Sequence, residues 1–273
     1  MDNTILIIVF LTLVGMGCGI AIFLANRFLP EEDRLLKKTE EISKFLPGMN
    51  CGACGHPGCF AYAGKIANDI DILKTSPCMV LMNDDKKVNA LGNALGVDLS
   101  AGDKKVAVVH CSGNSEILYE YKGINTCKAA AQLSAGFKKC PYGCIGFGDC
   151  VNVCPENAIS IDPEKKISII DPGKCIGCGL CTKECPQNLI EIIPAKMPQY
   201  LACNYLSKKN IPSRERCSLG CIHCRLCVKA SENDEVTWND KKDLPVFDPE
   251  KCLLASAAIE KCPKKVILER TGK

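Results

Sequence analysis

The sequence predicts an α+β chain in three parts. These are one long apolar helix, a small helical segment built around a glycine- and cysteine-rich loop, and a tandem duplication of short strands and helices. Three observations carry this. Residues 4–25 hold no charged side chain and are dominated by Ile, Leu, Val and Phe. Cys51, Cys54 and Cys59 lie among glycines, ahead of an apolar-patterned stretch and then Cys78. Finally, Cys140, Cys144, Cys150, Cys175 and Cys185 recur 77 positions later as Cys217, Cys221, Cys227, Cys252 and Cys262, and residues 170–175 recur in register as 247–252.

At 1.5 Å per residue the apolar run is long enough to cross a bilayer as a helix. A cleaved signal peptide is the competing reading. It fits poorly, because Met1-Asp2-Asn3 carries no basic residue and Asn26-Arg27 is not a small-residue cleavage site. Residues 1–26 are therefore expected to be a retained single-pass anchor. Arg27, Arg34, Lys37 and Lys38 follow it and put the C-terminal side in the cytoplasm. Gly15 and Gly19 have the spacing of a helix-packing face, although small residues are common in membrane helices anyway. Residues 27–47 read as an amphipathic linker helix.

The chain has 22 cysteines in 273 residues. Disulfide scaffolds are usually short, and the spacing Cys175-x2-Cys178-x2-Cys181-x3-Cys185-Pro has no special meaning for disulfides, whereas it is the layout of iron–sulfur ligation in a reducing compartment. The formal net charge of +3 counts thiols as neutral. A [4Fe–4S] cluster on four thiolates carries roughly −2, so a chain with four of them is acidic. There is no basic block with interleaved aromatics, and no nucleic-acid partner is expected.

In residues 48–98, Cys51, Cys54, Cys59 and Cys78 form the first expected ligand set, with residues 60–73 as a helix between the third and fourth cysteines. The spacing is not the paired-knuckle pattern of a four-thiolate zinc site. His56 is expected to be a loop residue. Residues 99–126 read as a connecting segment in which Val106-Ala107-Val108-Val109, before Cys111, is a buried strand.

Residues 127–196 read as a two-cluster module and 197–273 as its second copy. In such modules the fourth cysteine of each run ligates the other cluster. Cys154, Cys175, Cys178 and Cys181 then hold one cluster. Cys144, Cys150 and Cys185 belong to another, in which Phe147 stands where a cysteine is expected and the upstream Cys140 is the natural replacement. In the second copy Cys154, Cys178 and Cys181 become Ser231, Ala255 and Ala258, so that three losses fall on one cluster. The other cluster keeps Cys221, Cys224, Cys227 and Cys262, with Cys217 as a possible substitute. Cys252 is left an orphan. Cys127 and Cys203 either serve a further site or pack as small apolar residues, the latter being favoured. Short strands are expected at 158–161, 167–170 and 189–193. No Gly-rich phosphate loop or Ser-His-Asp arrangement is present.

Leu46-Pro47-Gly48-Met49-Asn50-Cys51-Gly52-Ala53-Cys54-Gly55, with Cys59 and Cys78, followed by Cys140-Pro141-Tyr142-Gly143-Cys144-Ile145-Gly146-Phe147-Gly148-Asp149-Cys150, resembles the B subunit of the Rnf complex, in an extended form. The resemblance runs over essentially the whole chain. It implies a single N-terminal transmembrane helix, a small helical [4Fe–4S] domain and tandem bacterial ferredoxin-like modules. It also implies a role as an electron-relay subunit of an ion-translocating ferredoxin:NAD oxidoreductase in the inner membrane. Soluble ferredoxin and the other Rnf subunits, in the membrane and the cytoplasm, are the implied partners. A cluster-bearing subunit of a hydrogenase or formate dehydrogenase and a membrane-tethered redox sensor are the alternatives. The loop at 46–59 argues against the first, and a row of clusters against the second.

Overall fold

A computed structural model describes residues 3–28, 31–100, 102–113, 115–206, 217–252 and 257–270. The chain divides into two compact units, residues 1–77 and 78–273.

The first unit begins with α1 (Asn3–Phe28), whose stretch Ile7–Ala25 has a mean hydropathy of 2.7 and none of it buried. By length and composition this helix is able to cross a bilayer. The amphipathic α2 (Glu31–Ser43) turns Thr39 and Ile42 inward. Against it lies α3 (Cys59–Asn68), which buries Tyr62, Ala63, Ile66 and Ala67 at helical spacing. The helix expected over 60–73 is interrupted. Asn68 bonds back to the Gly64 carbonyl, Asp69 is extended, and its carboxylate accepts the Asp71 N–H at 3.0 Å. That local turn competes with helix continuation, and the chain resumes as one short turn, α4 (Ile72–Thr75).

The second unit opens with α5 (Met79–Met82) and α6 (Asp85–Leu95), the latter capped by Asp84 and closed by Gly96 in the left-handed region. The duplicated unit follows. In the first copy β1 (Lys105–Val109) pairs antiparallel with β4 (Ile190–Pro194), and β2 (Ile159–Ile161) pairs with β3 (Ser168–Ile170). Three short helices, α7 (Cys127–Ala131), α8 (Asp149–Asn152) and α9 (Leu180–Glu184), lie between them. The second copy repeats the pattern, with β5 (Gln199–Leu201) on β8 (Ile267–Glu269) and β6 (Val236–Asn239) on β7 (Leu244–Phe247). Its helices are α10 (Leu226–Lys229) and α11 (Ala257–Lys261).

The strands at 158–161, 167–170 and 189–193 thus form within a residue or two of their expected places. β1 lies in the stretch read as a connector, yet it closes the first module by pairing with that module's last strand. The register fixes the equivalence of the copies. Val109 is opposite Ile190, and Leu201 is opposite Ile267, its repeat partner. Val109 therefore matches Leu201, Ala107 matches Gln199, and Cys111 matches Cys203. Between strand and first cysteine the first copy carries a longer segment, 112–139, than the second, 204–216. That insertion hides the start of the first module from sequence comparison.

Candidate iron–sulfur centres

In the first unit the cysteine loop is shaped by backbone in the left-handed region at Asn50, Gly52 and Gly55, a conformation that glycine adopts at little cost. The Asn50 side chain accepts the Cys59 N–H at 2.8 Å, so the loop closes on the first residue of α3. Ser76 donates to the Cys54 carbonyl at 2.9 Å, and its own carbonyl accepts the Tyr62 hydroxyl. The segment that leads into Cys78 is thereby held to the loop. His56 lies against the Tyr62 ring, 5.1 Å between centroids.

Among the described residues of the second unit, three cavities are each lined by four cysteines. One is lined by Cys154, Cys175, Cys178 and Cys181. Another is lined by Cys221, Cys224, Cys227 and Cys262, without Cys217. Each of these cavities brings together the four cysteines that spacing groups. The third is lined by Cys144, Cys150, Cys185 and Cys127. Cys140, the replacement expected there, does not line this cavity; it lines a neighbouring one together with Cys217.

The local reason is that an aromatic anchor stands at the position where the repeat has a cysteine. Phe147, at the position of the missing cysteine, packs on Tyr121 and Phe137 at centroid distances of 5.5 and 5.4 Å. Together with Ile145 and Ala130 these rings hold the inserted segment in place. Asp149, buried, accepts the N–H groups of Cys127 and Lys128 at 2.9 and 3.0 Å, while Thr126 caps α7 through Ala129. Both devices put Cys127, the first residue of α7, at the cavity. Spacing alone favours packing for Cys127. The signal available for its place at the cavity is the nearby aromatic set together with the Asp beside Cys150.

Sulfur atoms in these cavities accept backbone N–H bonds. Ala107 donates to Cys175 at 3.4 Å, Ala158 to Cys154 at 3.3 Å, Leu189 to Cys185 at 3.5 Å and His223 to Cys221 at 3.4 Å. Such bonds stabilise thiolate ligands and tune the potential of a cluster. Burial pushes the thiol of Cys150 up to about 11 and those of Cys181 and Cys221 up to about 12. The pocket by itself disfavours a thiolate, so a cationic partner must supply the compensating charge, and binding it releases protons.

Among the described residues, no group of three or more His, Cys, Asp or Glu side chains closes on a single metal ion. The thiols instead surround a cavity. That suits a cluster that offers a separate iron to each of four thiolates, and does not suit zinc, which draws sulfurs to about 2.3 Å from one centre.

Comparisons with known proteins agree. Residues 138–194 match a family model described as a 4Fe-4S dicluster domain, and residues 46–71 match one for an Fe-S cluster. The chain is 31% identical to the B subunit of the ion-translocating oxidoreductase complex of Methanosarcina acetivorans, over 93% of this chain and 94% of that one. It is 33% identical to the B subunit of the proton-translocating ferredoxin:NAD(+) oxidoreductase complex of Clostridium ljungdahlii, over 98% and 93% of the two chains. With the Na(+)-translocating counterpart of Acetobacterium woodii the figure is 34%, over 95% and 74%. This chain belongs to the B subunits of the Rnf ion-translocating oxidoreductase complexes, as an iron–sulfur electron-relay subunit and not a full enzyme by itself.

Proposed function

We propose that the chain is a single-pass inner-membrane protein that relays electrons on the cytoplasmic side, from soluble reduced ferredoxin toward the other Rnf subunits and NAD, with Na⁺ or H⁺ translocation coupled to that flow. The ligand sets are Cys51, Cys54, Cys59 and Cys78; Cys127, Cys144, Cys150 and Cys185; Cys154, Cys175, Cys178 and Cys181; and Cys221, Cys224, Cys227 and Cys262. Cys127 takes the place that spacing gives to Cys140. When bound, [4Fe–4S] clusters supply one-electron oxidation and reduction at these sites.

The observation that carries this reading is the set of three four-cysteine cavities packed into one unit. A sensor needs one accessible labile site, whereas several closely spaced buried ones suit conduction. The protein's own part is to bury the sulfurs, donate N–H bonds to them and exclude water. The basic residues after α1, Arg34, Lys37 and Lys38, support the cytoplasmic placement.

The test is reduced-ferredoxin:NAD oxidoreduction by the native complex, isolated through this chain and sealed in liposomes, with ion uptake followed in the same sample. Coupled activity that names Na⁺ or H⁺ is the expected result. A complex that ignores NAD, or co-purifies with a hydrogenase or formate dehydrogenase, would overturn it.

A further inference from the structure

Four cysteines remain that none of these sites uses and that meet at the junction of the two copies. Cys111 and Cys203, equivalent by strand register, sit two residues beyond β1 and β5 and face each other across an isolated antiparallel bridge. Cys140 and Cys217, equivalent by the 77-residue repeat, line the same cavity. All four line one cavity. The pairs therefore come from the two copies in a pseudo-twofold arrangement, two thiols from each.

The hydrogen bonding repeats with the same symmetry. Cys144 donates its N–H to the Cys111 sulfur at 3.5 Å, and its repeat partner Cys221 donates to the Cys203 sulfur at 3.3 Å. These are the same N–H-to-sulfur bonds found at the other cluster cavities. Gly143 and Gly220 each bond back to the carbonyl of Cys140 or Cys217 at 3.1 Å. A Cβ on Gly220 would stand 3.4 Å from the Cys217 Cβ and 3.5 Å from the Cys203 sulfur, so the backbone there runs close to the thiols. Residues that merely fill space have no reason to repeat both thiols and donors across the two copies.

We propose that Cys111, Cys140, Cys203 and Cys217 bind a fifth [4Fe–4S] cluster, shared between the repeats. The inference rests on the reading that the other cavities carry clusters. Its functional consequence follows from which residues touch it. Cys144 lines both this cavity and that of Cys127, Cys150 and Cys185. Cys221, one hydrogen bond from Cys203, lines the cavity of the second copy. The junction cluster would thus connect the site of the second copy to those of the first, so that the relay is continuous through the duplication.

The test counts iron and acid-labile sulfide on the full-length chain, isolated anaerobically in detergent, for the parent and for Cys111→Ser and Cys203→Ser. The expected parent value is about 20 iron and 20 sulfide per chain, and each variant should lose about four of each while the remaining clusters stay bound. A parent with about 16 of each, unchanged in both variants, would overturn the proposal. So would a variant that loses one metal and no sulfide, which marks a single-ion site, or a parent whose Cys140 and Cys217 are joined as a disulfide in the isolated chain. Should the variants fail to fold, the parent count alone decides between about 20 and about 16. A chain with no iron at all would sink the broader electron-relay reading as well, which separates the two failures.

Discussion

Cys175 and Cys252 occupy the same position in the two copies and have opposite surroundings. Cys175 lines a cavity with three other cysteines and accepts the Ala107 N–H. Cys252 is buried in the hydrophobic core, and the Gln199 side chain donates to its sulfur at 3.0 Å. Gln199 is the register equivalent of Ala107, and it is fully buried. Where Cys154 accepts the Ala158 N–H, its counterpart Ser231 accepts that of Val236. Ala258, in place of Cys181, is fully buried too, while Ala255 falls outside the described residues. A cluster is part of the packed volume of its module, so a copy without one must refill the space with side chains and satisfy what they bring. The enlarged residue at position 199 does the first, and its bond to Cys252 does the second.

The largest effect should separate these two cysteines. Cys175→Ser is expected to cost about four iron atoms per chain and to loosen the first module, since metal binding and folding are coupled. Cys252→Ser should leave the iron count unchanged, and equal iron loss in both would break the comparison. Next in size is Cys252→Ala, which removes the sulfur that accepts from the buried Gln199 side chain. A loss of about 1 kcal/mol in denaturant unfolding is expected, and an unchanged midpoint would show that this bond adds nothing to stability.

Asp149 sharpens the contrast between the other pair of sites. Its carboxylate holds Cys127 in the first copy, whereas the second copy has Leu226 at the equivalent position and lines its cavity with Cys221, Cys224, Cys227 and Cys262. Asp149→Asn should cost about 1 kcal/mol as a weakened helix cap and make the Cys127-containing site release iron to a chelator faster. The site in the second copy should keep its rate. The smallest effect belongs to Arg225, which has φ 59° where the first copy has Gly148 at φ 85°. Its guanidinium lies 4.7 Å from the Trp238 ring centroid. Arg225→Gly relieves left-handed backbone and gives up a cation–π contact of about 0.5–1 kcal/mol, so stability should stay within about 1 kcal/mol of the parent.

The parts of this molecule that are legible in its sequence are those whose chemistry is local. The apolar run announces α1, and the run Cys175-x2-Cys178-x2-Cys181 announces its cavity because three of the lining cysteines come from one loop. Cys221, Cys224 and Cys227 are readable for the same reason. Cys127 is not, because its partner residues Phe147 and Asp149 act through packing and capping, which spacing does not encode. Cys111 is obscured by the insertion after it. Cys127 and Cys203 stand 13 and 14 residues before Cys140 and Cys217, which suggests that they are equivalent, but the pairing of β1 with β4 and of β5 with β8 makes Cys111 the counterpart of Cys203.

The central claim is that the first copy draws a ligand from an inserted segment because Phe147 anchors that segment where the second copy has Cys224. The direct test is iron content and reduced-state EPR of the full-length chain as Cys127→Ser, and as Cys127→Ser with Phe147→Cys. The account predicts loss of about four iron atoms and one cluster signal in the first variant, with recovery in the second, where the ligand returns to its place in the repeat. A Cys127→Ser chain that keeps its full iron content and every cluster signal would contradict it.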